Sequence, residues 1–167
     1  MKSLLYILLM YIPMSSNQNG KGGIVRGYAY VTESFRGAQI KVTDENGRDK
    51  VEPTQMHKSY QFYVELRKGV TIEPQIIWID GIAYKASFQT VDKVPVLNRT
   101  ETIGNNSNVD TLVAKTTNAV LHLWQDGLAQ TTNKPELKKI GLDYLCEGKK
   151  YRFLFKDAIN LAPRILQ

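Results

Sequence analysis

The chain has 167 residues, 43% of them hydrophobic and 23% charged, with a formal charge of +6. That length fits one domain with a substantial core, and the composition excludes wholesale disorder. A single cysteine, Cys146, excludes an intramolecular disulfide and a cysteine-built zinc site.

Met1-Lys2-Ser3 precedes an apolar run from Leu4 to Ile12 and a small-polar exit at Ser15-Ser16-Asn17. That order is the layout of a secretory signal, and the run is shorter than the roughly 20 apolar residues needed to span a bilayer. We expect a signal peptide over 1–16, a flexible leader over 17–23 and a single domain over 24–167. The mature protein is then periplasmic or secreted, with no transmembrane span. The lysines and arginines lie dispersed and often beside acids, so no basic groove for nucleic acid is expected.

Beyond the leader, period-two alternation broken by turn dipeptides predicts strands throughout. Ile24 to Thr32 reads as the first. Ala38, Ile40 and Val42 alternate with Gln39, Lys41 and Thr43 before Asn46-Gly47, a two-residue turn that would pair Glu45 with Arg48 and Val42 with Val51. Tyr60, Phe62, Val64 and Leu66 mark a strand ended by Arg67-Lys68-Gly69. Asp80-Gly81 predicts a hairpin over Ile76 to Phe88, pairing Ile79 with Ile82 and Ile77 with Tyr84, because both turn positions need positive φ. Residues 92–117, rich in Asn, Thr and Ser, read as a long polar loop. Ala119 to Trp124 alternate again and stop at Asp126-Gly127. A second hairpin, over Ile140 to Phe155 about Glu147-Gly148, sets Leu142 against Phe153 and Tyr144 against Tyr151. Its wet face pairs Asp143 with Arg152. Ile159 to Leu166 is a last strand, placed at an edge by Pro163. About eight strands with frequent turns predict an all-β fold, a two-sheet antiparallel sandwich or open barrel.

Candidate chemistry is sparse. His57 lies in the Glu52 to Lys58 loop and His122 in mid-strand, without a Gly-x-Ser-x-Gly elbow or any other nucleophile motif, so no catalytic residue is assigned. Cys146 falls in step with Tyr144 and Leu142, where a thiol behaves as a small hydrophobe. Asp44, Glu45, Asn46 and Asp49 crowd one turn and could offer oxygen ligands, but Arg48 and Lys50 supply counter-charge, as in a solvated hairpin tip. No metal or cofactor is assigned. Two sequons, Asn98-Arg99-Thr100 and Asn105-Asn106-Ser107, fall in the polar loop. Trp78, with Ile76 and Lys85 on the same face, is the candidate partner surface, provided no second layer covers it.

Phe62-Tyr63-Val64-Glu65-Leu66, then Ile77-Trp78-Ile79-Asp80-Gly81-Ile82-Ala83-Tyr84 and Gly148-Lys149-Lys150-Tyr151-Arg152-Phe153, loosely resemble small exported β-rich proteins of bacteroidete-type bacteria. Gly37-Ala38-Gln39-Ile40-Lys41-Val42-Thr43-Asp44-Glu45-Asn46-Gly47 resembles prealbumin-like modules of the carboxypeptidase-regulatory type, without the Pro-Gly-x-Tyr turn of those modules. Neither resemblance transfers a functional residue. The reading that emerges is an exported, non-enzymatic binding or accessory protein of a bacterial cell envelope, with a protein or glycan as partner. The alternative is a small secreted hydrolase or protease-inhibitor-type effector.

Overall fold

The computed structural model describes residues 22–36, 41–43, 49–51, 56–101, 107–131 and 139–166. Among them are twelve strands and no helix. They are β1 (Ile24–Arg36), β2 (Lys41–Thr43), β3 (Asp49–Val51), β4 (Met56–Leu66), β5 (Ile72–Ile79), β6 (Ile82–Thr90), β7 (Val96–Glu101), β8 (Ser107–Val113), β9 (Ala119–Leu128), β10 (Gly141–Cys146), β11 (Lys149–Leu154) and β12 (Ile159–Leu166). The fold is all-β, as the alternation predicts.

Eight strands form one curled sheet in the order β11-β10-β5-β6-β9-β4-β1-β12. All neighbours run antiparallel except β1 and β12, which are parallel, so the sheet is mixed. The final segment explains this. After pairing with β10 as β11, the chain continues in the same direction and pairs with β1 as β12. One stretch thus reaches both ends of the strand order and draws the sheet toward closure. Pro163 lies in β12 where its register with β1 shifts, at the edge where a missing N–H is tolerated.

The curl places Phe153 and Phe155 of the final segment against β1, where a Cβ on Gly27 would overlap the Phe153 ring. Gly27 therefore has to lack a side chain for the two ends of the sheet to meet. Inside the curl, Phe62, Val64, Ile77, Leu123 and Leu142 are fully buried, and Ala29, Leu121, Tyr144 and Cys146 complete that core. Period-two alternation sends these residues to one face and leaves Tyr30, Tyr63 and Val120 on the other.

That outer face has its own small core. β7 and β8 pair with each other and lay Leu112 and Val113 on Tyr30, Tyr63, Val120 and Leu161. The Tyr30 hydroxyl donates to the Leu112 carbonyl at 2.5 Å. The two layers are thus one large curled sheet and a small hairpin, rather than two comparable sheets.

Both predicted hairpins form in the expected register: Ile79 opposes Ile82, Trp78 opposes Ala83, Tyr144 opposes Tyr151 and Asp143 opposes Arg152. Asp80 and Glu147 adopt φ of 49° and 50°, followed by Gly81 and Gly148 at 79° and 72°, the left-handed pair that such a turn requires. Four expectations need correction. Residues 92–117 contain the β7–β8 hairpin, because Val96, Val109, Leu112 and Val113 supply strand-forming residues within the polar background. β9 runs on to Leu128 instead of stopping at Asp126-Gly127, since a register shift against β6 absorbs Gly127. His57 lies in β4 opposite Ser34 rather than in a loop. In the first hairpin Val42 opposes Lys50 and Lys41 opposes Val51. The Asn46-Gly47 turn itself, with the expected Glu45–Arg48 pair, lies outside the described residues.

Residues 1–21 lie outside the described region, and with them the expected signal peptide. Of the expected leader, only Gly22 and Gly23 are described. Both are packed: the Gly23 carbonyl accepts from the Arg67 amide at 2.8 Å, and a Cβ on Gly22 would meet the Tyr144 hydroxyl at 2.5 Å.

Candidate functional site

One end of the curled sheet is built from several separate stretches. The Asp80-Gly81 turn ends β5 there, β4 passes through at Lys58 and Tyr60, and the Phe155 to Ala158 connection crosses toward β12. They surround a recess of about 260 Å³. Its base is apolar, with Val31, Ile79 and Phe155 buried and Tyr60 half-buried. Its rim is polar and exposed, made of Lys58, Lys139 and Lys156 together with Asp80, Asp157 and Asn160.

The base is continuous with the inner core. Phe155 packs against Phe62 with ring centroids 5.3 Å apart, and Tyr60 lies nearly parallel to Phe62 at 6.2 Å. Such packing holds an aromatic floor in place before any ligand arrives. Around the rim, Lys58 pairs with Glu33 at 3.4 Å, while Lys139 and Lys156 have no ion-pair partner among the described residues. The two free lysines are balanced by Asp80 and Asp157. The rim thus offers donors and acceptors in similar measure without a strong net charge. A volume near 260 Å³ is at the small end for ligand pockets and suits a ring-sized group better than a large cofactor.

The candidate surface read from the sequence lies elsewhere. Trp78 is only 2% exposed. Its Nε1–H donates to Asp143 Oδ2 at 2.8 Å, and the Arg152 guanidinium lies 5.5 Å from the ring centroid. Arg152 also binds Asp143 through Nε at 2.5 Å and Nη2 at 2.7 Å. The cross-strand pair of β10 and β11 thus folds over the indole and covers it. Ile76 is half-buried and Lys85 exposed, directly opposite each other. Trp78 adds nothing to an exposed patch around them.

The histidines are separate. His57 is exposed near the start of β4. His122 faces outward from β9, stacked on Tyr63 at 4.7 Å and tilted against Trp124 at 5.4 Å. Its Nε2 is buried with no hydrogen-bond partner among the described residues. Burial holds its pKa below the ordinary histidine value. Among the described residues neither imidazole hydrogen-bonds a hydroxyl or thiol. Cys146 is buried in the inner core, in step with Tyr144 and Leu142 as expected. The Asp44, Glu45 and Asn46 turn lies outside the described residues, as does the Asp49 side chain. Among the described residues no three His, Cys, Asp or Glu gather into a metal-binding group, and no helix is long and apolar enough to cross a membrane.

A buried carboxylate went unnoticed in the sequence. Glu65 is 5% exposed, on the outer face of β4. Its oxygens accept from the Tyr28 hydroxyl at 2.5 Å, Thr116 Oγ1 at 3.2 Å and Asn118 Nδ2 at 3.2 Å. Burial works to raise its pKa. The hydrogen bonds from Tyr28, Asn118 and Thr116, with the Arg26 charge, overcome that and hold it below the ordinary carboxylate value. These hydrogen bonds tie the β8–β9 connection to the sheet through the Glu65 carboxylate.

A scan against protein-family models finds no match for this chain, and neither the curated proteins nor the solved structures hold one.

Proposed function

We propose that the protein is an exported, non-enzymatic binding protein of a bacterial cell envelope, and that it takes a glycan unit in the recess at the end of the curled sheet. The observation that carries this reading is the composition of that recess: an aromatic and aliphatic base beneath a rim that mixes lysine, aspartate and asparagine. A sugar ring has an apolar C–H face that packs on such a base. Its hydroxyls each need a donor and an acceptor, which the rim supplies in similar numbers. Export is supported by the signal-like order of the first residues. The resemblance to small exported proteins of bacteroidete-type bacteria points the same way.

Two measurements test it. Intact-mass analysis of native protein should show a chain that begins near Asn17, and retention of Met1 would contradict export. Calorimetric titration with a peptidoglycan disaccharide should show binding that Tyr60→Ala together with Lys156→Ala abolishes. Binding of an anionic amphiphile such as octanoate in place of the sugar would contradict the glycan assignment.

A further inference from the structure

The curled sheet contains an internal edge. β5 and β6 pair only from Ile76 opposite Lys85 to Ile79 opposite Ile82. Among the described residues, β6 beyond Lys85 pairs with β9 alone as far as Thr90, while the lower part of β5 pairs with β10 alone. The cause is local. Ile76 opposes Asp143 and Pro74 opposes Tyr144, so Gln75 is an extra residue on β5. A bulge of this kind bends its strand, and here it turns β5 away from β6 below Ile76.

The direction of each β6 backbone group follows from the ladder. The Val91 amide donates to the Val120 carbonyl, and the Ala129 amide to the Ala83 carbonyl. Odd-numbered residues of β6 therefore point their N–H and C=O toward β9. By alternation, Ala86, Phe88 and Thr90 point theirs toward β5, which is not paired with them. Among the described residues, three donors and three acceptors stand in a row with no strand paired opposite them. Phe88 is 45% exposed beside them, and Gln89 and Thr90 are exposed on opposite faces.

The edge also lacks the features that keep sheet edges from pairing. β11, at one end of the strand order, carries Lys149, Lys150 and Arg152, and β12, at the other, carries Pro163 and Arg164. Charge and proline are the usual protection of an edge. Ala86-Ser87-Phe88-Gln89-Thr90 carries neither. We infer that this internal edge of β6 binds an extended peptide segment of a partner protein by strand addition, with an apolar side chain of the peptide beside Phe88. A lone strand fits better than a second copy of the chain, because β5 flanks the opening and would obstruct the edge of another curled sheet. The chemistry is specific: a row of main-chain donors and acceptors is satisfied by another extended backbone.

Amide hydrogen exchange by NMR tests this at residue resolution. In the free protein the amides of Ser87, Gln89 and Val91 should be protected, and those of Ala86, Phe88 and Thr90 should exchange at least tenfold faster. Protection of all six would mean the edge is already paired, and would overturn the inference. A capped seven-residue peptide alternating Val and Thr should slow exchange at Ala86, Phe88 and Thr90. The same peptide N-methylated at alternate residues, which cannot complete the ladder, should not. Equal binding of the two peptides, or none by the first at millimolar concentration, would overturn strand addition. Thr90→Pro removes a donor facing the opening and leaves the β9 ladder whole. It should therefore fold like the parent and bind the peptide at least tenfold more weakly. Parent-like binding by a folded Thr90→Pro protein would count against the inference.

Discussion

Gly27→Ala is the sharpest test of how the sheet curls. A Cβ at Gly27 would overlap Phe153 Cε1 and lie 2.9 Å from Phe153 Cζ and 3.0 Å from Phe155 Cε1. Carbon contacts are comfortable at about 3.5–4.0 Å, so the Phe153 ring has to move. Overpacking of this kind costs about 1–3 kcal/mol. Against it stands about 0.4–1 kcal/mol gained because alanine restricts the unfolded chain. The glycine is not in the left-handed region, so backbone strain does not enter. The net expectation is a loss of about 1–2 kcal/mol, read as a lower midpoint in urea unfolding at unchanged m-value. The decisive variant is the same change in a Phe153→Ala background. With the ring gone the overlap largely disappears, and Gly27→Ala should become neutral or slightly stabilising. The double-mutant cycle should return a coupling of about 1–2 kcal/mol. Additive effects would show that β11 does not lie on β1, and would refute the near-closure of the sheet.

Gly81→Val places a β-branched side chain at φ 79° with no atom within 4 Å of its Cβ. The loss, about 1–3 kcal/mol, is therefore backbone strain alone, and unaltered thermal unfolding would refute it. Glu65→Gln should destabilise by about 1–3 kcal/mol, because the new amide turns a donor toward the Tyr28, Thr116 or Asn118 donor it replaces an acceptor for. Glu65 has a folded pKa below its unfolded value, so the unfolded chain takes up the proton first. Its contribution is present above about pH 4.5 and is lost as pH falls through the folded pKa, and urea midpoints across that range should fall less steeply in the Gln variant. His122 is also held below its ordinary value, so stability should begin to drop as pH falls below about 6.5. A folded His122→Phe protein should lack that drop, and an identical pH profile would exclude this histidine.

Local pairing was legible in the sequence at two of the three turns used to set register, and not at Asn46-Gly47. Asp80-Gly81 and Glu147-Gly148 each demand two positive φ values, and that alone sets which residues oppose one another across the hairpin. The partition into inner and outer faces followed, with Cys146, Tyr144 and Leu142 in step. Long-range pairing was not legible. Nothing local in Ile159 to Leu166 says that it runs parallel to a strand begun at Ile24, because the pairing depends on a chain that has already curled. Trp78 illustrates the same limit. Its face was readable, but its cover is the Asp143–Arg152 pair, brought to it because β10 lies beside β5. The recess draws Tyr60, Asp80, Lys139 and Lys156 from stretches far apart in the chain, so no spacing could announce it. Glu65 alternates with Val64 and Leu66 like any solvent-facing acid. Its burial depends on Thr116 and Asn118 in a segment that reads as loop.

The claim that the recess binds a glycan unit is tested most directly by amide chemical-shift mapping of the mature protein during titration with a peptidoglycan disaccharide. Saturable shifts are expected at Lys58 to Tyr60, Ile79 to Asp80, Lys139 to Ile140 and Phe155 to Asn160, the stretches that meet at the recess, with the Ala86 to Thr90 edge unmoved. The absence of shifts at millimolar sugar, or shifts centred away from those four stretches, would contradict it.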